Sequence, residues 1–208
     1  MIKEEWDRKI EEALENRTLI GVVTQRVSEF VSLKFANYEI LFQELTFCTL
    51  TANTSAELGI KCINSLKEAD FQSLQDIQLR LRKCGYRFPN TRSKFIHQNY
   101  EKRYLLELIK EMDEPEYRRD FIYENFIGIG YKEGSHFLRN IGYFEYAILD
   151  KHILRFLMEY FGREFSNKSR RAYLEAEKYF SKVSSDFSMD AGIMDLIIWY
   201  IITGKVLK

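Results

Sequence analysis

Lys132 and Asp150 are the side chains in this sequence whose types and settings best suit covalent chemistry. A helical run, Glu116 to Asn125, is interrupted by Phe126-Ile127-Gly128-Ile129-Gly130, and a second helical run opens at Lys132. The local pattern is helix, tight turn, helix. Lys132 therefore stands in the first turn of its helix, at the positive end of the macrodipole, where an ammonium is disfavoured. A partly desolvated lysine there is a neutral amine often enough to act as a nucleophile. Asp150 precedes Lys151-His152-Ile153-Leu154 in the position of an N-cap, where the same dipole favours an ionised carboxylate. Gly128, Ile129 and Gly130 form a turn whose bare N–H groups, beside a helix N-terminus, suit an anion such as phosphate. Each feature also has a plainer reading: a solvated lysine, an ordinary cap, a turn that only reverses the chain.

The elements that must position these residues read as all-α. Most of the chain shows apolar spacings of three and four, prolines occur only at 89 and 115, and there are no internal repeats. The first helix carries Ile2, Trp6, Ile10, Ala13 and Leu14, and the second Val23, Val27, Phe30 and Val31. Tyr38 to Leu50 is almost continuously apolar and suits a helix buried on most sides. It ends in Thr51-Ala52-Asn53-Thr54-Ser55, a set of helix-capping residue types in which Asn53 or Thr54 could instead face a ligand. Leu105 to Met112 reads as a further amphipathic helix. Helices from Ile153, Tyr173 and Ala191 complete the chain.

Lys+Arg and Asp+Glu are equal at 31 each, so any basic surface is local rather than global. The unbalanced segment runs from Arg80 to Arg103, where Arg80, Arg82, Lys83, Arg87, Arg92, Lys94, Lys102 and Arg103 face Glu101 alone. Tyr86, Phe88, Phe95 and Tyr100 are interleaved with them. Such a mixture suits phosphate contacts with a wedge or stacking group, or else a solvated helix face with core aromatics. Cys48, Cys62 and Cys84 lack a C-x-x-C pair and are expected to be buried reduced thiols, as in a cytoplasmic protein. His97, His136 and His152 offer no metal-ligand spacing. No run is long enough for a membrane helix, and the start reads as a charged helix rather than a signal peptide.

Taken together, Phe126 to Asp150 resembles the helix-hairpin-helix and following aspartate of the DNA glycosylase superfamily. The segments GIGYKEGSHFLRN (128 to 140), AILDKHILRFL (147 to 157), ELTFCTLTAN (44 to 53) and WYIITGKVLK (199 to 208) are similar to the archaeal-type 8-oxoguanine DNA glycosylases. Two departures stand out. Ile127 replaces the proline often seen before the first hairpin glycine, and Gly134 stands where alanine is usual, at a helix cost of about 0.5 to 1 kcal/mol.

The resemblance implies a bifunctional glycosylase and lyase that removes 8-oxoguanine from double-stranded DNA, with Lys132 as nucleophile and Asp150 as its charged partner. It implies phosphate binding at Gly128, Ile129 and Gly130, with a structural monovalent cation on hairpin carbonyls and no catalytic metal. Trp199 and Lys208 become candidates for base recognition, and Asn53, Arg87, Phe88 and Arg92 for strand contacts or a wedge. Two helical subdomains are expected, residues 1–35 with 147–208 and residues 36–146, the second holding the helix-hairpin-helix at about 116–141. The active site is expected in the cleft between them. A monomer is expected, cytoplasmic and associated with the nucleoid through DNA. A glycosylase for another oxidised base, or a non-catalytic DNA-binding module, are the alternatives.

Overall fold

The computed structural model describes residues 2–52 and 54–207, and every regular element among them is helical. The chain divides into two units: Met1–Ser32 with Leu138–Lys208, and Leu33–Phe137.

The middle unit is organised on α3 (Tyr38–Thr51). From Leu41 to Thr51 only Gln43 is exposed, so this helix has no solvent stripe and is covered on nearly every side. Asn37 caps it, accepting from the Ile40 N–H at 3.1 Å. Around it pack α4 (Ala56–Ser65), α6 (Pro89–Glu101) and a 3-10 helix, Arg103–Glu111, with α5 (Leu74–Lys83) against α4 and α6. Phe42, Phe71 and Tyr100 meet edge to face and stacked, at centroid distances of 5.2 to 5.5 Å. Where the sequence predicts an α-helix over Leu105–Met112, the chain is 3-10 instead. Its buried residues Leu106 and Ile109 are three apart, and the 3-10 winding aligns them on one edge toward α3. The polar cluster after α3 caps helix ends. Thr51 and Thr54 donate to the carbonyls of Cys48 and Leu50, and Ser55 accepts from the Leu58 N–H. α7 (Pro115–Asn125) and the start of α8 (Tyr131–Asn140) complete the unit.

The terminal unit joins α1 (Ile2–Glu15), α2 (Arg17–Leu33), α9 (Lys151–Phe161), α10 (Arg170–Asp186) and α11 (Ala191–Thr203). Trp6 meets Phe156 edge-on at 4.8 Å and Phe156 meets Phe180 at 6.2 Å, which ties α1, α9 and α10 into one core.

Two sequence expectations need correction. The boundary expected after Tyr146 falls after Phe137. The end of α8 and the residues after it belong with the terminal helices. The Arg139 guanidinium lies 4.8 Å from the Phe30 ring centroid and 3.9 Å from Asp195, and the Gly192 N–H donates to the Phe144 carbonyl at 2.7 Å. The expectation of three reduced thiols also fails, because Cys62 and Cys84 form a disulfide while Cys48 is a buried thiol. Packing of α4 against α5 brings the two Cα atoms to 5.4 Å, within bridging distance, which no sequence spacing reveals.

Gly134 lies where α8 crosses α7. A Cβ there would meet Arg119 Cγ at 3.6 Å, Ile122 Cγ2 at 3.7 Å and Ile129 Cγ2 at 3.8 Å, ordinary contact distances. Gly134→Ala is therefore expected to stabilise the protein by about 0.5 to 1 kcal/mol and raise Tm by about 2 °C. Thermal unfolding checks this, and an unchanged or lowered Tm contradicts the fit.

Candidate functional site

The connection between α7 and α8 places five backbone units in one tight turn. Phe126 and Ile129 turn inward, 2% and 3% exposed, while Ile127 is 42% exposed. Gly128 has φ +79°, in the left-handed region. A Cβ at Gly128 would sit 2.3 Å from Phe95 Cδ2, so the ring from α6 occupies the space that a side chain would need. The Gly130 carbonyl accepts from the Gly134 N–H at 2.8 Å, which makes it the first acceptor of α8. With no side chain at Gly130, the first N–H groups of α8 have no hydroxyl or carboxylate from the cap position itself. Gly128, Ile129, Gly130 and Lys132 are thus brought together at one helix start, as the sequence predicts.

Several side chains fix that helix start. Tyr131 is buried, its hydroxyl donates to Asp120 Oδ1, its ring meets Tyr123 at 5.3 Å, and the Arg119 guanidinium lies 5.0 Å from its centroid. Arg119 also donates to Ser135 Oγ at 3.1 Å, and the His136 ring meets Phe47 of α3 at 5.6 Å. Lys132 is held within this frame with its side chain 24% exposed, reachable from solvent but partly desolvated. Its Nζ pairs with Glu133 Oε1 at 3.1 Å, while Glu133 Oε2 lies 3.0 Å from where a Gly130 Cβ would be. Glu133 was missed in the sequence, although a glutamate in the third helical position behind a cap is a recognisable signal.

Asp150 lies in the terminal unit and caps α9. Its Oδ1 accepts both from the His152 N–H at 2.8 Å and from the Ile153 N–H at 2.9 Å, which leaves Oδ2 clear of the cap. The strand-like lead-in is clamped by α10 and its preceding loop. The Tyr173 hydroxyl donates to the Ala147 carbonyl at 2.7 Å and lies 3.3 Å from the Leu149 N–H, and Asn167 donates to the Leu149 carbonyl at 2.7 Å. Trp199, half-buried near the end of α11, meets His152 edge to face at 5.1 Å. One of the base-recognition candidates is therefore packed on the helix that Asp150 begins.

The basic segment separates into an outer and an inner set. Arg87 and Phe88 are exposed, with the guanidinium 5.0 Å from the ring centroid. Arg92, expected as a strand contact, is instead 8% exposed: it reaches the Ala52 carbonyl at 3.4 Å and lies 5.5 Å from the Phe95 ring. Beside it, burial pushes the Tyr86 hydroxyl above its ordinary pKa, with the Arg92 charge opposing, and that hydroxyl donates to the Leu50 carbonyl. Arg92 is turned inward because α6 buries that face against α3. Asn53 and Lys208 lie outside the described residues. Among the described residues no three His, Cys, Asp or Glu side chains are grouped as metal ligands, and no helix is long and apolar enough to cross a membrane.

A family model described as 8-oxoguanine DNA glycosylase matches residues 23–189. The chain is 45% identical over 190 residues to the 8-oxoguanine DNA glycosylase/AP lyase of Picrophilus torridus, covering 90% of this chain and 91% of the relative. It is 38% identical over 205 residues to that of Methanocaldococcus jannaschii, covering 97% and 98%. The solved M. jannaschii 8-oxoguanine glycosylase/lyase in complex with a 15mer DNA containing 8-oxoguanine superposes with a TM-score of 0.90 at 37% identity, covering 97% of this chain and 98% of that one. The Thermotoga maritima 8-oxoguanine DNA glycosylase gives 0.89 at 38% identity, covering 99% and 100%.

Gly128→Ala is expected to cost more than about 2 kcal/mol, the sum of a left-handed backbone and a clash with Phe95. In a Phe95→Ala background the same substitution should cost only about 1 to 2 kcal/mol, the backbone part alone. A double-mutant cycle in denaturant reads the difference; equal costs in both backgrounds would show that the ring does not set the turn.

Proposed function

The chain belongs to the 8-oxoguanine DNA glycosylase family, and we infer on that premise that it is a bifunctional base-excision-repair enzyme using Lys132 and Asp150. The substrate is double-stranded DNA containing 8-oxoguanine, and the activities are N-glycosylase and AP lyase. The observation that carries the residue assignment is the pair of helix starts. One presents a reachable amine directly behind a bare hairpin, and the other holds a carboxylate with one oxygen committed to the cap and one clear of it.

The damaged nucleotide is extruded, because its C1′ is out of reach in the stack. Lys132, deprotonated, attacks C1′ and the C1′–N9 bond breaks, the departing base taking a proton. The Asp150 carboxylate offsets the positive charge that grows on the sugar, an electrostatic role that strengthens in the transition state. Opening of the sugar ring gives a Schiff base on Lys132. Loss of a C2′ proton then expels the 3′ phosphate, and the strand is cut by β-elimination.

The hairpin fixes the strand during these steps. N–H groups at Gly128, Ile129 and Gly130 and in the first turn of α8 suit a phosphate. The superfamily implies a monovalent cation on hairpin carbonyls. Asn99 engages the Ile127 carbonyl and Gly134 the Gly130 carbonyl, so the carbonyls of Phe126, Gly128 and Ile129 are the oxygens that fit such an ion. It would supply positive charge beside a phosphate. Arg87, Phe88 and Asn53 are assigned to the strand, the first two as an exposed cation and wedge, and Trp199 and Lys208 to the extruded base. The protein works where the DNA is, in the cytoplasm and in contact with the nucleoid.

Incubation with an 8-oxoguanine duplex and sodium borohydride should give a covalent protein–DNA adduct that Lys132→Gln abolishes; wild type giving none would sink the lyase. Asp150→Asn keeps a good capping residue, so thermal stability should hold within about 0.5 kcal/mol. DNA affinity should be retained, while single-turnover base release falls by about 100-fold or more. Unchanged turnover in that variant contradicts the role given to the carboxylate.

A further inference from the structure

Asn99 is buried on α6, 2% exposed, one helical turn beyond Phe95. Its carboxamide holds both backbone groups of one hairpin residue. The Ile127 N–H donates to Asn99 Oδ1 at 2.8 Å, and Asn99 Nδ2 donates to the Ile127 carbonyl at 3.0 Å. We propose that Asn99 is a positioning residue for the phosphate-binding hairpin, fixing Ile127 by two hydrogen bonds and so presetting the backbone before DNA arrives.

Only a carboxamide suits this place. Its oxygen accepts and its nitrogen donates in the same plane, so it pairs with a peptide N–H and C=O as a neighbouring strand would. A carboxylate offers no donor to the carbonyl, and an apolar side chain leaves both backbone groups of Ile127 without their partner. Phe95 and Asn99 are four residues apart and therefore share a face of α6, one closing on Gly128 and the other on Ile127. The identity of residue 127 matters for the same reason. Proline would restrict φ by its ring but has no N–H to give Asn99. With isoleucine at this position, the restriction comes from outside the hairpin, through Asn99.

The proposal rests on the hairpin being a phosphate-binding element, and the test separates the two. Asn99→Leu should raise the Kd for an 8-oxoguanine duplex about tenfold, the equivalent of two modest hydrogen bonds. The single-turnover rate of base release at saturating DNA should hold within about twofold. In DNA-free protein, amide exchange at 126–130 should quicken relative to α3. Ile127→Pro added to Asn99→Leu should restore most of the affinity, whereas Ile127→Pro alone should weaken binding because Asn99 Oδ1 loses its donor. Should Asn99→Leu not fold, Asn99→Ser carries the same expectations. Unchanged Kd and unchanged exchange in the Asn99 variants overturn the proposal, as does a loss that falls equally on Kd and on the saturated rate and that Ile127→Pro does not relieve. If wild type neither binds nor cuts the duplex, the proposed function fails, and the exchange measurement still decides the clamp.

Discussion

A left-handed backbone at Gly128, pressed against the Phe95 ring, is the constraint on which the rest of the middle unit's site depends. Two independent physical effects exclude a side chain there: the backbone conformation disfavours any L residue, and the space is already filled. The turn therefore has one conformation, and the direction of α8 follows from it. So does the position of Lys132, which lies only four residues further on, in the first turn of that helix. Tyr131, Ser135 and His136 then hold α8 to α7 and α3, which keeps the helix start from rotating.

This arrangement gives the basic segment two jobs on two faces. Arg92, Ile96 and Asn99 face inward on α6, where Asn99 holds the turn, while Arg87, Phe88 and Lys94 face outward. A count of positive charge along the sequence cannot separate these sets. Their periodicity could: 92, 96 and 99 recur at helical spacing with the apolar Ile96 among them, which marks a buried stripe that happens to include polar residues.

What was legible in the sequence was local. The helix, turn, helix pattern is carried by glycines within a few residues of each other, and the Asp150 cap by a residue type beside a helix start. The continuous burial of α3 follows from its unbroken apolar run. What was not legible depended on distant partners. The Cys62–Cys84 bridge needs α4 and α5 to pack at one particular register. The 3-10 winding of Arg103–Glu111 is decided by the surface it lies on, and Asn99 reveals itself only once Ile127 is seen beside it. The departure from proline at 127 was visible from the start, but its meaning lay 28 residues away in the chain.

The two helix starts assigned to the chemistry are treated in opposite ways. At α9 the N-terminal N–H groups are satisfied internally, because Asp150 Oδ1 accepts from both His152 and Ile153. Those bonds do more than cap. They fix the rotamer of the carboxylate, so the second oxygen is presented in a fixed place. At α8 the cap position is a glycine, which can do neither, and that helix start suits an anion from outside. The same backbone dipole thus holds a protein carboxylate at one helix and meets no side chain from the cap position at the other. The difference between them is one side chain at one position: aspartate at 150 and none at 130.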